Sequence, residues 1–264
     1  MRQWKHISIF VSSTFKDMDV ERDALRTLVE PKVNKYLEKY MLSVEFIDLR
    51  HSVKTDKDFN ETERERQICS VCFREIDRSS PYFIGLLGHR YGWIPPEGII
   101  ENQSVNVFPI ADRLLSVTAH EYLRGLFAGQ QSVRGCVFVR NESSYRNLKS
   151  ESLSDFVEDG IKRLLVVDIR EYLLKNKDIY TIDYSIDLSN VSSSAIAEWV
   201  GIAYDSGLKL LEPECRVSDN EDELSEFLYH QERYVQNKVK KFKGRNNELE
   251  DFTEKIENRN GCIL

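Results

Sequence analysis

The sequence predicts an α/β fold: a five-stranded, mainly parallel sheet with helices on both faces, followed by a C-terminal helical linker. Three observations predict it. Short apolar runs alternate with helical patterns along the first two hundred or so residues, the order that produces parallel strands joined by right-handed crossovers. One run, Tyr82-Phe-Ile-Gly-Leu-Leu87, is apolar without alternation, as a central strand covered on both faces must be. Small hydroxyl residues, Ser12-Ser13-Thr14, follow the first apolar run. They are expected at the turn from a strand into a helix, the edge where open α/β sheets hold ligands.

Taken in order, Lys5–Val11 reads as the first strand. Asp17–Tyr40 then reads as helix, with Met18, Leu25, Leu28, Val29, Val33, Tyr36 and Leu37 on one stripe. Pro31 should kink or split it. Val44–Leu49 is a short second strand ending in Asp48-Leu-Arg50. Asn60 with Glu63 forms a capping-box pattern opening a helix to about Arg78. After the central strand comes a loop of about thirty residues, a length that marks function or mobility. It opens with Gly88-His-Arg-Tyr-Gly-Trp-Ile-Pro-Pro96. Ser116-Val-Thr118 starts a helix carrying Glu121, Tyr122, Leu123, Leu126 and Phe127. Cys136–Val139 is the fourth strand. Ile161, Leu164, Leu165, Ile169 and Tyr172 stripe the next helix, Ile179–Tyr184 is the fifth strand, and Ser192–Ser194 caps a helix running towards Leu211. A flavodoxin-like strand order fits these units. Beyond Pro213 an acidic linker (Ser218–Glu223) leads into a charged helical stretch to about Lys241, and Gly261-Cys-Ile-Leu264 reads as a strand just beginning.

Bulk properties narrow the classes. The 264 residues allow one sizeable core plus an appendage, and 41% hydrophobic with 31% charged residues is ordinary for a soluble globular chain. A net charge of −7 argues against a dedicated nucleic-acid binder. Neither a membrane span nor the apolar core of a signal peptide is visible, so a cytoplasmic location is expected. The five cysteines are scattered; Cys69-Ser-Val-Cys72 has no second pair to complete a zinc site, and no metal site is expected.

Val11-Ser-Ser-Thr-Phe-Lys-Asp-Met18 with Glu21-Arg-Asp23, then Asp48-Leu-Arg50, Gly88-His-Arg-Tyr-Gly-Trp93 and Ser116-Val-Thr-Ala-His-Glu-Tyr122 are four separated motifs within residues 5–140. Together they resemble the N-terminal domain of unknown function that precedes NACHT and related STAND ATPase modules. Such domains occur in telomerase-associated protein, nephrocystin and bacterial antiviral STAND proteins. His51 departs from the family, which usually has Trp before Gly there, and the loop at 98–115 is long. Phe242-Lys-Gly-Arg-Asn-Asn-Glu-Leu249 resembles the segment that opens many STAND modules, but no Gly-x-x-x-x-Gly-Lys-Ser/Thr follows. The resemblance implies a TIR-like effector domain over 1–212, then a helical linker and the start of a truncated STAND NTPase module over 213–264. It implies activity in immune or anti-phage signalling once the downstream module self-assembles.

The relationship of that family to TIR domains and nucleoside deoxyribosyltransferases places a catalytic carboxylate at Glu121. Cleavage of NAD at the nicotinamide ribosyl bond passes through an oxocarbenium-like state that a carboxylate stabilises; NAD would be the substrate, with no cofactor required. Ser12, Ser13, Thr14, Asp48, Arg50, Gly88, Arg90, Tyr91 and Trp93 would line the nucleotide pocket. Asp17, Glu21, Arg22 and Asp23 would form a structural network around the helix start, with Arg22 nearest the pocket. Each has a plainer reading: Thr118-Ala-His-Glu121 is itself a capping box, Thr14 and Asp17 form another, Asp48 and Arg50 suit an ion pair, and Tyr91 and Trp93 suit packing. A non-catalytic scaffold for homotypic assembly or partner binding is the alternative. His120-Glu121 begins a zinc-protease motif, but Arg124 replaces its second histidine.

Overall fold

The computed structural model describes residues 4–49, 61–100, 107–128 and 133–241. Its centre is one sheet of five parallel strands in the order β2-β1-β3-β4-β5: β1 Lys5–Ser13, β2 Leu42–Ile47, β3 Tyr82–Leu87, β4 Arg134–Arg140 and β5 Tyr180–Tyr184. This is the flavodoxin-like order.

Strand pleat decides which residues meet which helices, because successive side chains point to opposite faces. Ile7, Ile9 and Val11 of β1, Val44 and Phe46 of β2, Ile84 and Leu86 of β3, and Phe138 of β4 pack in one core. The partners there are Val29, Val33 and Leu37 from the first helical region, and Trp199, Val200 and Leu211. Phe10, Phe83, Leu87, Val137 and Val139 face the other way, onto Ile76, Ala119, Tyr122, Leu123, Val166 and Ile169. Helices therefore cover both faces.

The first helical region differs from the expected single or split helix. It runs as α1 (Asp19–Ala24), a π-helical turn (Leu25–Val29), α2 (Glu30–Leu37) and a 3₁₀ turn (Glu38–Tyr40). Pro31 has no N–H for the carbonyl of Thr27; the chain widens by one residue just before it, and the Glu30 N–H reaches back to the Leu25 carbonyl. Of the expected stripe, Leu28 and Tyr36 are exposed. α3 spans Glu61–Ser79, and the expected caps at Asn60 and the end of strand two at Arg50 lie outside the described residues. α4 (Val117–Tyr122) continues into a π-turn (Leu123–Phe127); a short α5 (Ser150–Leu153) and α6 (Gly160–Lys175) follow. The buried face of α6 is Leu165, Val166, Ile169 and Leu173. Ile161 and Leu164, expected on the core stripe, are 59% and 65% exposed instead.

The last helix corrects another expectation. α7 runs from Ser193 to Lys241 with Pro213 inside it, so the acidic segment 218–223 is helical rather than an irregular linker. Pro213 removes one backbone hydrogen bond, and Glu214 beside it is anchored by Lys5 at 2.5 Å, Tyr82 at 2.6 Å and Arg134 at 2.8 Å. The chain divides into two compact units, Met1–Cys215 and Arg216–Leu264. No helix among the described residues is long and apolar enough to cross a membrane.

Candidate functional site

β1 is two residues longer than expected, so Ser12 and Ser13 end the strand rather than forming the turn. The pleat then sends them to opposite faces. Ser12 follows Phe10 to the α3–α4 face, where its hydroxyl donates to Glu121 Oε2 at 2.5 Å. Ser13 follows Val11 to the α1 face. Its hydroxyl accepts from Arg22 Nε at 2.5 Å, its carbonyl accepts from Arg22 Nη2 at 3.0 Å, and Arg22 Nη1 pairs with Asp48. Arg22 thus reaches the site.

Glu121 sits on α4, which follows β3, against the end of β1. β1 and β3 are neighbours from which the chain proceeds in opposite directions across the sheet, the switch point at which open α/β sheets form their crevice. The plainer capping-box reading of Glu121 does not hold. Ser116 is the N-cap, accepting from the Ala119 N–H at 3.2 Å, and the Glu121 carboxylate turns to Ser12. Burial raises its pKa; hydrogen bonds from the Ser12 hydroxyl and the Cys72 thiol, with the positive charge of Arg22, favour the carboxylate. Glu121 is 7% exposed.

A second polar cluster lies on the α1 face. Arg140, the last residue of β4, and Glu21 are both fully buried and joined through Arg140 Nη2 at 2.6 Å to each Glu21 oxygen and Nε at 2.9 Å to Oε1. The same Nη2 donates to the Asp17 carbonyl, and Tyr184, the register partner of Arg140, donates to Glu21 Oε1 at 2.8 Å. Thr14 donates to Asp17 Oδ1 at 2.5 Å, the expected capping pair. Burial pushes Asp17 up to about 6 from its ordinary 3.8, against the Thr14 hydrogen bond and the charge of Arg140. Asp23 is exposed on the surface of α1, leaving Asp17, Glu21 and Arg22 as the buried network.

The loop after β3 does not converge on Glu121. Gly88 faces Asp17: a Cβ there would lie 2.4 Å from Asp17 Oδ2. Arg90 turns away, donating to the Ser154 carbonyl at 2.8 Å with Glu158 at 3.4 Å. Tyr91 is 2% exposed and packs in the core, its hydroxyl donating to the Leu114 carbonyl at 2.7 Å. Trp93 is 40% exposed, and its carbonyl accepts from the Val117 N–H at 2.9 Å. Gly92 takes φ +89°, which only glycine adopts at low cost, and a Cβ there would lie 3.1 Å from Thr14 Cγ2. The structure therefore pairs Ser12 with Glu121 on one face and Ser13 and Asp48 with Arg22 on the other, with the charge of Arg22 acting on Glu121, but leaves Arg90, Tyr91 and Trp93 elsewhere. Arg50 lies outside the described residues. Sequence reasoning missed Arg140, Tyr184 and the Cys72 contact. An arginine closing the apolar run Cys136-Val-Phe-Val139 was the available signal, because a charge at the end of a central strand needs a buried partner.

Space is distributed unevenly. Beside Tyr91, Thr118 and Tyr122 a gap of about 10 Å³ remains. A cavity of about 390 Å³ lies between the Pro95–Pro96 segment and Asp112–Arg113, with His120 in its wall. Among the described residues no group of three or more His, Cys, Asp or Glu is placed to hold a metal ion.

A family model described as a domain of unknown function, DUF4062, matches residues 8–171. Telomerase protein component 1 of Mus musculus is 27% identical over 195 residues, 72% of this chain and 7% of that protein. A TPR repeat-containing protein of Dictyostelium discoideum is 27% identical over 168 residues, 59% of this chain and 10% of its own length. NACHT and WD repeat domain-containing protein 2 of Homo sapiens is 34% identical over 100 residues, 37% of this chain and 6% of that protein. The chain thus spans less than a tenth of the telomerase and NACHT relatives' length. No solved structure matches it.

Proposed function

The chain belongs to the DUF4062 family, and on that premise we propose that it is the N-terminal, TIR-like effector domain of a larger NACHT-type protein. Its site at Ser12 and Glu121, opened when the downstream module assembles, binds NAD and cleaves the nicotinamide N-glycosidic bond. The observation that carries this reading is the 2.5 Å hydrogen bond from Ser12 to Glu121 at the switch point between β1 and β3. As the C1′–N bond breaks, its electron pair leaves with nicotinamide, whose ring nitrogen becomes neutral, so no general acid is needed. The Glu121 carboxylate balances the positive charge developing on the ribose, in a low-dielectric site where such compensation is strong. Water then adds at C1′ and releases a proton, giving ADP-ribose. Ser12 aims the carboxylate, and the positive charge of Arg22 favours its ionised form against the opposing effect of burial.

One observation favours a second reading, a non-catalytic module for assembly. Glu121 is only 7% exposed and Tyr91 fills the core beside α4, so the present geometry is closed over the carboxylate. In the catalytic reading this is the resting state, opened by assembly. Nicotinamide release from NAD, by dilute protein and by protein clustered on a multivalent scaffold, tests the proposal. The catalytic reading expects release by the clustered wild type and its loss in Glu121→Gln. Release that survives the substitution overturns the assignment, and clustered wild type that binds its own copies without releasing nicotinamide establishes the scaffold.

A further inference from the structure

We infer that the cavity in the β3–α4 loop is a separate subsite, which takes the aminopurine end of a nucleotide. The inference extends the proposed nucleotide chemistry and rests on it for the identity of the ligand. The cavity measures about 390 Å³ and is built from Pro95, Pro96, Glu97, Asp112, Arg113, Leu115 and His120 among others. That volume lies within the range of small-molecule sites, and polar and apolar groups share its lining about equally.

Its chemistry selects among ligands. Two proline rings and Leu115 form flat, apolar surfaces suited to the face of a heteroaromatic ring. His120, 6% exposed and set edge-on against Phe73 with ring centroids 6.4 Å apart, is a fixed part of the cavity wall. Carboxylates at Asp112 and Glu97 accept from an exocyclic amine, which adenine carries and hypoxanthine lacks. Arg113 suits one phosphate. With two carboxylates against one guanidinium, the lining disfavours a triphosphate. The fitting ligand is a base, a ribose and few phosphates.

Position joins the cavity to Glu121. His120 and Glu121 are consecutive on α4, and a helix turns about 100° per residue. One turn therefore presents His120 to the cavity and Glu121 to Ser12. A dinucleotide bent around that turn would place one base in the cavity and its other ribose at Glu121, which gives the cavity lining a role in choosing the substrate.

Calorimetric titration of the chain with adenosine 5′-monophosphate and inosine 5′-monophosphate tests this, with Asp112→Asn and Glu121→Gln compared in each case. Loss of the amine-to-carboxylate hydrogen bond makes inosine monophosphate about tenfold weaker for the wild type. Asp112→Asn, at an exposed position, abolishes that preference, while Glu121→Gln leaves it. Absence of adenosine monophosphate binding, or a preference unchanged in Asp112→Asn, overturns the inference. Nicotinamide release separates it from the proposed function. Adenosine monophosphate binding without nicotinamide release keeps the subsite and removes the NAD chemistry. Release with the same KM in wild type and Asp112→Asn keeps the chemistry and removes the subsite.

Discussion

Asp17→Asn makes the buried polar cluster measurable. Asp17 is 2% exposed; Oδ1 accepts from Thr14, and Oδ2 is buried with no hydrogen-bond partner among the described residues. Burial raises its pKa from 3.8 to about 6. The folded state therefore binds this proton more tightly than the unfolded chain does. The associated stability is fully present below about pH 4 and is lost as pH rises to about 6. At 1.36 kcal/mol per pH unit, the separation of the two pKa values amounts to about 3 kcal/mol. Asparagine keeps an acceptor for Thr14 and places an amide where an uncompensated carboxylate oxygen stood. The variant should exceed wild type by about 1–3 kcal/mol at pH 8, with the difference shrinking to near zero at pH 4, where Asp17 itself is neutral. Urea unfolding of both proteins at pH 4, 6 and 8 measures it, and subtraction removes the titration of other carboxylates. A difference independent of pH, or a variant less stable than wild type at pH 8, refutes the reasoning.

Two further substitutions test packing around the site. Arg140→Met strands the fully buried Glu21 carboxylate and should cost about 3–5 kcal/mol in urea unfolding, most of it recovered when Glu21→Leu is added; equal losses in single and double variants would contradict the pairing. Gly85→Ala would set a Cβ 2.5 Å from Tyr122 Oη and 2.7 Å from Cζ, so thermal unfolding should show a loss of about 1–3 kcal/mol. Tyr122→Phe combined with it should recover part of that loss, and an unperturbed Gly85→Ala would show that α4 does not press on β3 as described.

How legible the molecule was follows from what each segment needed. β3 was readable to the residue because Tyr82–Leu87 is buried on both faces, and a continuous apolar run has no other home. The alternation Ile7, Ile9, Val11 already separates Ser12 from Ser13 by face. What was not readable was the longer strand that carries both beyond the turn. Helix interiors were harder: the π-turns at Leu25–Val29 and Leu123–Phe127 rotate the stripe, and α6 buries Val166 and Leu173 where a straight reading chose Ile161 and Leu164. The partner of Glu121 needed tertiary structure, since Ser12 lies 109 residues away. The Arg140–Tyr184 pairing needed the β4–β5 register, and the turn of Arg90 towards Ser154 depends on a loop with no periodicity to read.

The central claim is that Ser12 and Glu121 act as one chemical unit, and the pH dependence of nicotinamide release by the clustered protein tests it most directly. In the proposed reaction Glu121 works as a carboxylate, and burial raises its pKa, so the wild-type rate should rise with pH as Glu121 ionises. Ser12→Ala removes a hydrogen bond favouring the carboxylate and should displace the rising limb to higher pH, while Glu121→Gln abolishes the limb and the activity together. A limb at the wild-type pH in Ser12→Ala, with activity retained in Glu121→Gln, would contradict the account.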